Sequence, residues 1–147
     1  MNFLPITINI RNEQILIIGG GKVALHKVEL LERFTRSFKI IAPEIIPALR
    51  NRNIEVVQRK YRQGDLDGHL LVYAATDNPE LNHRIREDGK KSRSLVNVVD
   101  SPAHCDFVSP AIYKKEHMTI AVSSNGEDVY ASIDLRNKIR TYLENGE

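Results

Sequence analysis

Residues 15–24 read Ile-Leu-Ile-Ile-Gly-Gly-Gly-Lys-Val-Ala, an apolar run that stops at three glycines and resumes as a helical pattern. Gly19, Gly21 and Ala24 stand in the spacing G-x-G-x-x-A, which suits the cradling of a dinucleotide pyrophosphate. Gly19 permits the tight turn off the strand. Gly21 lets the backbone approach phosphate, and Ala24 is small enough for close helix–sheet packing. The N–H groups and partial positive charge of the helix start face the same ligand, so Lys22 and Val23 join the glycines as candidate contacts. The pattern points to a nicotinamide or flavin cofactor. A glycine-rich turn without a ligand is the plainer alternative; the clear strand before it and helix after it favour binding.

Other chemistry-bearing residues follow apolar runs in the same way. Ile40-Ile41-Ala42 is followed by Pro43-Glu44, so no acid ends that strand where one commonly binds the adenosine ribose. Glu44, one or two residues later, either reaches the ribose hydroxyls or starts the next helix. No arginine at 42–44 greets a 2′-phosphate, which favours NAD over NADP. Thr76 offers a free hydroxyl after Leu70–Ala75, while Asp77 or Asn78 caps the next helix. Asp100 ends Leu95-Val96-Asn97-Val98-Val99 and precedes Ser101-Pro102. An acid there is partly desolvated at the crevice, which would raise its pKa and suit it to proton transfer; a turn aspartate before proline is the competing reading. His104, Cys105 and Asp106 are metal ligands by type, but adjacent ligands seldom make a tetrahedral site, so no metal is expected. The Ser123–Gly126 turn either binds an anion at a helix end or simply caps the helix. Arg84, Arg86, Lys90, Lys91 and Arg93 form a solvated helix face or a lure for a polyanionic substrate.

The elements that must position these residues follow from periodicity. Leu4–Ile10 alternates and fits an edge strand; Gln14–Ile18, Phe38–Ala42, Ile54–Gln58, Leu70–Ala75 and Leu95–Val99 read as buried strands. Between them lie helical patterns: Val23–Phe34, with Val23, Val28, Leu31 and Phe34 on one face, Ile45–Asn51, and a helix begun by Asn78-Pro79-Glu80 that ends near 89–91. Strands alternating with helices predict an α/β fold, a Rossmann-type doubly wound parallel sheet. After Asp100 the pattern changes. Phe107–Val108, Ala111–Tyr113 and Met118–Ser123 are short strand candidates, and Asp128–Leu143 is a helix with Val129, Ile133, Ile139 and Leu143 apolar. A small β-plus-helix extension is therefore expected: residues 1–110 as a nucleotide-binding domain and 111–147 as a dimerisation extension, giving a homodimer.

The 147 residues, 41% hydrophobic and 27% charged, suit one globular domain with an appendage. A net charge of +2 gives no case for nucleic acid. No apolar run nears the roughly 20 residues that span a bilayer, and Met-Asn-Phe-Leu-Pro is not a secretory leader. The single cysteine, Cys105, excludes an internal disulfide. A cytoplasmic protein without membrane or nucleic-acid partners is expected.

Taken together, these segments resemble the precorrin-2 dehydrogenase family, the N-terminal module of siroheme synthase. The resemblance rests on Leu4-Pro5-Ile6, Gly19–Ala24 with Lys27, Ala42-Pro43-Glu44, Ala74-Ala75-Thr76-Asp77 with Asn82, Asn97–Pro102, Phe107 with Pro110, and Ala121-Val122-Ser123-Ser124. It implies oxidation of precorrin-2 to sirohydrochlorin with NAD as hydride acceptor. Some members also insert ferrous iron or cobalt, as ferrochelatases. Asp100 matches the family's acid/base aspartate, Asn97 and Ser124 its substrate-binding positions, and Gly19, Gly21, Lys22, Val23, Pro43, Glu44 and Thr76 its cofactor contacts. Two departures stand out. Asn125-Gly126-Glu127-Asp128-Val129 is more acidic than the family's turn, and the further C-terminal helical segment of many members has no counterpart by Glu147. The competing class is a regulatory domain that senses NAD without chemistry. Such a sensor needs the glycine turn but has no use for Asn97–Asp100.

Overall fold

The structure, a computed structural model, describes residues 1–146. It divides into two compact units: Ile8–Asp106, and Met1–Thr7 together with the chain from Phe107 onward.

The first unit is built on a five-stranded parallel sheet. In chain order it comprises β1 (Ile15–Ile18), α1 (Lys22–Leu31), β2 (Phe38–Ala42), α2 (Pro47–Arg50), β3 (Glu55–Gln58), β4 (Leu71–Ala74), α3 (Pro79–Ser92) and β5 (Leu95–Val98). The strand order is β3-β2-β1-β4-β5. The chain reverses direction of growth between β1 and β4, so the crevice for a ligand opens beyond their C-terminal ends. Strands covered on both faces should read as continuous apolar runs, and β1 and β4 are buried at every residue. Leu16, Ile18, Ile41, Val72, Ala74, Val96 and Val98 pack with Ile85 of α3. Ile17, Ile40, Tyr73 and Asn97 alternate with them and so lie on the other face, the side of Ala24 and Val28 in α1.

α3 shows why its ends fall where they do. The Asn78 side chain accepts from Leu81 N, Pro79 fills the first turn, and Arg93 closes the helix in a left-handed conformation. Gly89 is required inside it: a Cβ there would lie 2.3 Å from Val96 Cγ2.

The second unit has an antiparallel pair, β6 (Ala111–Lys115) and β7 (Met118–Val122), and helix α4 (Val129–Asn145). Asp128 caps α4 by accepting from Ala131 N. Arg136 Nη1 ties the helix to the sheet by donating to Ile112 O at 3.0 Å.

Four expectations need correction. Leu4–Ile10 forms no strand, because Pro5 lacks an N–H and no neighbouring strand offers a ladder; Leu4 and Ile6 are exposed. Phe107–Val108 is irregular, since the chain has just been pinned by Asp106. Val23 and Phe34 are not on the buried face of α1, which turns Ala24 and Val28 to the sheet and ends at Leu31. Val129 and Leu143 of α4 are exposed rather than packed. Among the described residues no helix is long and apolar enough to cross a membrane.

Candidate active site

Four strand ends of the first unit are laced together where the sheet stops. Gly19 N donates to Ile41 O at 3.0 Å, Ala75 N to Ile18 O at 2.8 Å, and Val99 N to Ala74 O at 3.1 Å. Ile46 N donates to Gly20 O at 2.9 Å. These bonds bring Gly19, Gly21, Lys22, Val23, Pro43, Glu44, Thr76, Asn97 and Asp100 to one end of one sheet. Ser124 belongs to the other unit.

Each glycine in the turn has a distinct reason. Gly19 has φ +131°, and a Cβ there would sit 2.2 Å from Ala75 O. At Gly20 a Cβ would sit 2.2 Å from Glu44 O, so the loop after β2 can only close against a glycine. Sequence spacing treats Gly20 as a free position and misses this. At Gly21 a Cβ would meet nothing within 4 Å, leaving open room in front of the backbone where a phosphate must approach. Gly21 is also the N-cap of α1, with no side-chain cap and no acid in the first turn. Lys22 and Val23 beside it are exposed. Uncapped N–H groups, a positive helix end, a lysine and open space together fit a pyrophosphate.

Pro43 and Glu44 are exposed at the end of β2, leaving the Glu44 carboxylate accessible. Thr76 departs from expectation, because its hydroxyl is not free. It donates to Asn82 Oδ1 at 2.6 Å, and Asn82 Nδ2 returns a bond to Thr76 O at 3.0 Å. The buried Asn82 thereby fastens the loop after β4 to α3. A threonine after a strand with an asparagine six residues on could have signalled that pair.

Asp100 also departs from expectation, being exposed rather than desolvated. It adopts φ +62°, a left-handed conformation that aspartate tolerates better than most residues. Among the described residues its carboxylate takes part in no hydrogen bond or ion pair. The resemblance includes Lys27 without giving it a place. Its ammonium lies 5.5 Å from the centre of the Tyr73 ring. Burial holds its pKa below the ordinary value, while the charges of Asp100 and Cys105 oppose that fall. Asn97 is buried and pairs in register with Tyr73, on the same face.

The residues after Asp100 fold back along β5. Asp106 N donates to Val96 O, and Val96 N to Asp106 Oδ2. Val98 N donates to Cys105 Sγ at 3.1 Å, and the thiol donates back to Val98 O at 3.2 Å. Burial raises the Cys105 pKa. His104 Nδ1 lies 2.7 Å from Ser101 Oγ. The three adjacent ligand types thus serve three different partners, and among the described residues no group of three or more could hold a metal ion.

The basic run is largely engaged within its own unit. Arg86 binds Asp106 at 2.8 Å and His104 O, Arg84 stacks 5.3 Å over Tyr61, and Lys90 and Lys91 pair with Glu87 and Asp88. It offers a polyanion less free charge than the sequence suggests. In the second unit the Ser124 hydroxyl accepts from Asp128 N at 2.8 Å. With Asp128 capping α4, the helix start already carries its own carboxylate, so the Ser123–Gly126 turn is a cap and not an anion site.

A parallel β3-β2-β1-β4-β5 sheet with an open glycine turn at its switch point defines a dinucleotide-binding domain. Residues 6–111 match the family described as "Putative NAD(P)-binding", and the chain belongs to this NAD(P)-binding family. It is 38% identical over 150 residues to a siroheme synthase of Azotobacter vinelandii, covering 99% of this chain and 32% of that protein. Identity is again 38%, over 147 residues, to one of Pseudomonas fluorescens, covering 97% of this chain and 32% of that protein. The chain thus spans about a third of the length of these curated relatives. A solved structure titled "SirC, precorrin-2 dehydrogenase" shares the fold at TM-score 0.78 and 17% identity, covering 99% of this chain and 71% of that one.

Proposed function

We propose that the chain catalyses the NAD-dependent oxidation of precorrin-2 to sirohydrochlorin. The observation that carries this reading is the exposed carboxylate of Asp100, turned out in a left-handed conformation at the end of the sheet that bears the open glycine turn. The names of the siroheme synthase relatives and of the precorrin-2 dehydrogenase structure supply the substrate.

NAD, when bound, supplies the hydride acceptor. The chain's own residues do the rest. Gly19, Gly21, Lys22 and Val23 hold the pyrophosphate at the start of α1, and Glu44, with Pro43, meets the ribose hydroxyls and disfavours a 2′-phosphate. Thr76 lines the crevice through its main chain. Loss of a hydride from the tetrapyrrole must be matched by loss of a proton, and the Asp100 carboxylate accepts it. Asn97 helps set the floor under the substrate. We assign residues 1–110 to nucleotide binding and 111–147 to dimerisation, in a cytoplasmic homodimer.

The test is direct. Mixing the protein with precorrin-2 and NAD should yield NADH and sirohydrochlorin, followed by absorbance. Absence of NADH above a blank ends the reading. Asp100→Asn should lower kcat at least tenfold, within the roughly 10²–10⁴-fold range of acid/base groups, and leave the NAD Kd unchanged. An unaltered kcat would make Asp100 a turn residue only.

A further inference from the structure

The loop after β4 commits its polar groups to the protein itself. Thr76 Oγ1 donates to Asn82 Oδ1 at 2.6 Å, Thr76 N donates to the same oxygen at 3.3 Å, and Asn82 Nδ2 donates back to Thr76 O at 3.0 Å. The Thr76 hydroxyl also accepts from Asn78 N at 3.2 Å. The N–H, carbonyl and hydroxyl of Thr76 are thus all engaged. Asn82 is buried on α3, where an amide without partners would be costly. Its two ends are not interchangeable. The oxygen meets two donors and the nitrogen meets an acceptor, a pattern that neither aspartate nor leucine reproduces.

The same loop touches the glycine turn. Ala75 N donates to Ile18 O at 2.8 Å. A Cβ at Gly19 would lie 2.2 Å from Ala75 O and 3.3 Å from Thr76 N. The main chain at 75–76 therefore packs directly on the residue that opens the turn. A shift of Thr76 toward the turn presses on Gly19, and a shift away widens the crevice between β1 and β4.

We propose that Asn82 is a positioning residue for the cofactor: by gripping Thr76 from α3, it sets the width of the crevice that receives the dinucleotide. This rests on the reading of Gly19 and Gly21 as the pyrophosphate turn. Thr76 then meets the dinucleotide by shape, and polar recognition falls to the glycine turn and Glu44.

The test is NAD binding by calorimetry in the whole protein, with no tetrapyrrole present. Asn82→Asp keeps the size of the side chain and its acceptor but sets an oxygen against Thr76 O. It should raise the NAD Kd about tenfold, the factor that one lost hydrogen bond carries. An unchanged Kd overturns the proposal. Thr76→Val, which keeps the shape and loses the hydroxyl, should also raise the Kd, and should add nothing in the Asn82→Asp background. Multiplicative losses would mean that Asn82 does not act through Thr76. Should Asn82→Asp not fold, an unchanged Kd in Thr76→Val is the overturning result. Leu66→Ala separates positioning from general stability. Leu66 is fully buried in the same core, and Ser94 Oγ donates to its carbonyl just ahead of β5, at the far end of the sheet. This variant should lower the unfolding midpoint and leave the NAD Kd alone; an equal rise in Kd would reduce Asn82 to a structural role. A wild-type protein that binds no NAD ends the reading of the glycine turn itself, whereas wild type and Asn82→Asp binding NAD equally ends only the inference about Asn82.

Discussion

The two units of this chain bury their apolar residues very differently. Among the described residues every buried hydrophobic one lies between Ile15 and Val98, in the first unit. Of its described residues the second unit buries only the small polar Ser132, while Tyr130 is 85% exposed and Met118, Val129 and Tyr142 are each more than 60% exposed. The first unit therefore closes its own core. A two-stranded sheet with one helix cannot do so, and its apolar surface calls for another surface to cover it. The contrast shows where folding stability resides and where association should be sought.

Substitutions can break or sharpen this contrast. The largest effect is expected at Ile85, fully buried against the sheet by α3. Ile85→Ala should lose about 2–5 kcal/mol in denaturant unfolding. A loss below 1 kcal/mol would mean that the core is less closed than it looks. Next comes Tyr61, whose hydroxyl donates to the buried Asp88 at 2.8 Å. Tyr61→Phe should cost about 1–3 kcal/mol by leaving that carboxylate short of a donor. The same pair gives the first unit a pH signature. Burial, then the Asp88 bond, raises the Tyr61 pKa well above its ordinary 10. Above pH 10 the unfolded chain releases the phenol proton and the folded chain keeps it. The unfolded state then binds fewer protons, so stability falls as pH rises. Tyr61→Phe should abolish that part of the fall. The smallest effect on protomer stability is expected at Tyr142→Ser, within about 0.5 kcal/mol as for other exposed sites. Its effect should appear instead in the mass measured by light scattering, with the proposed dimer moving toward monomer. An unchanged dimer places association elsewhere.

The same contrast explains what the sequence could disclose. The strands of the first unit and the glycine turn were legible because a doubly covered sheet writes itself as apolar runs broken by glycine and proline. The Asn78 cap was legible because a cap and its helix are neighbours in sequence. The placement of Lys27 over Tyr73 and the need for glycine at position 20 were not. Each depends on a partner brought close by the crossover from one strand to another, and residue type alone does not name that partner. In α4 an apolar periodicity was visible, but periodicity does not say whether a face is covered by its own chain. Val129 and Leu143 show that it is not.

The return of the chain along β5 has one more consequence. A terminal strand with unpaired N–H and C=O groups is a template on which foreign strands grow. Here Val96 is paired on both its N–H and its C=O by Asp106, and Val98 on both by a thiol, so that rim of the sheet offers no vacancy for recruitment. The Cys105 sulfur, where a backbone group would ordinarily serve, makes the seal oxidisable. Converting it to a sulfinate removes the S–H donor and adds charge beside β5. Peroxide treatment should therefore raise the thioflavin signal of the protein on mild heating, and Cys105→Ser, which keeps a donor and an acceptor, should remain clear.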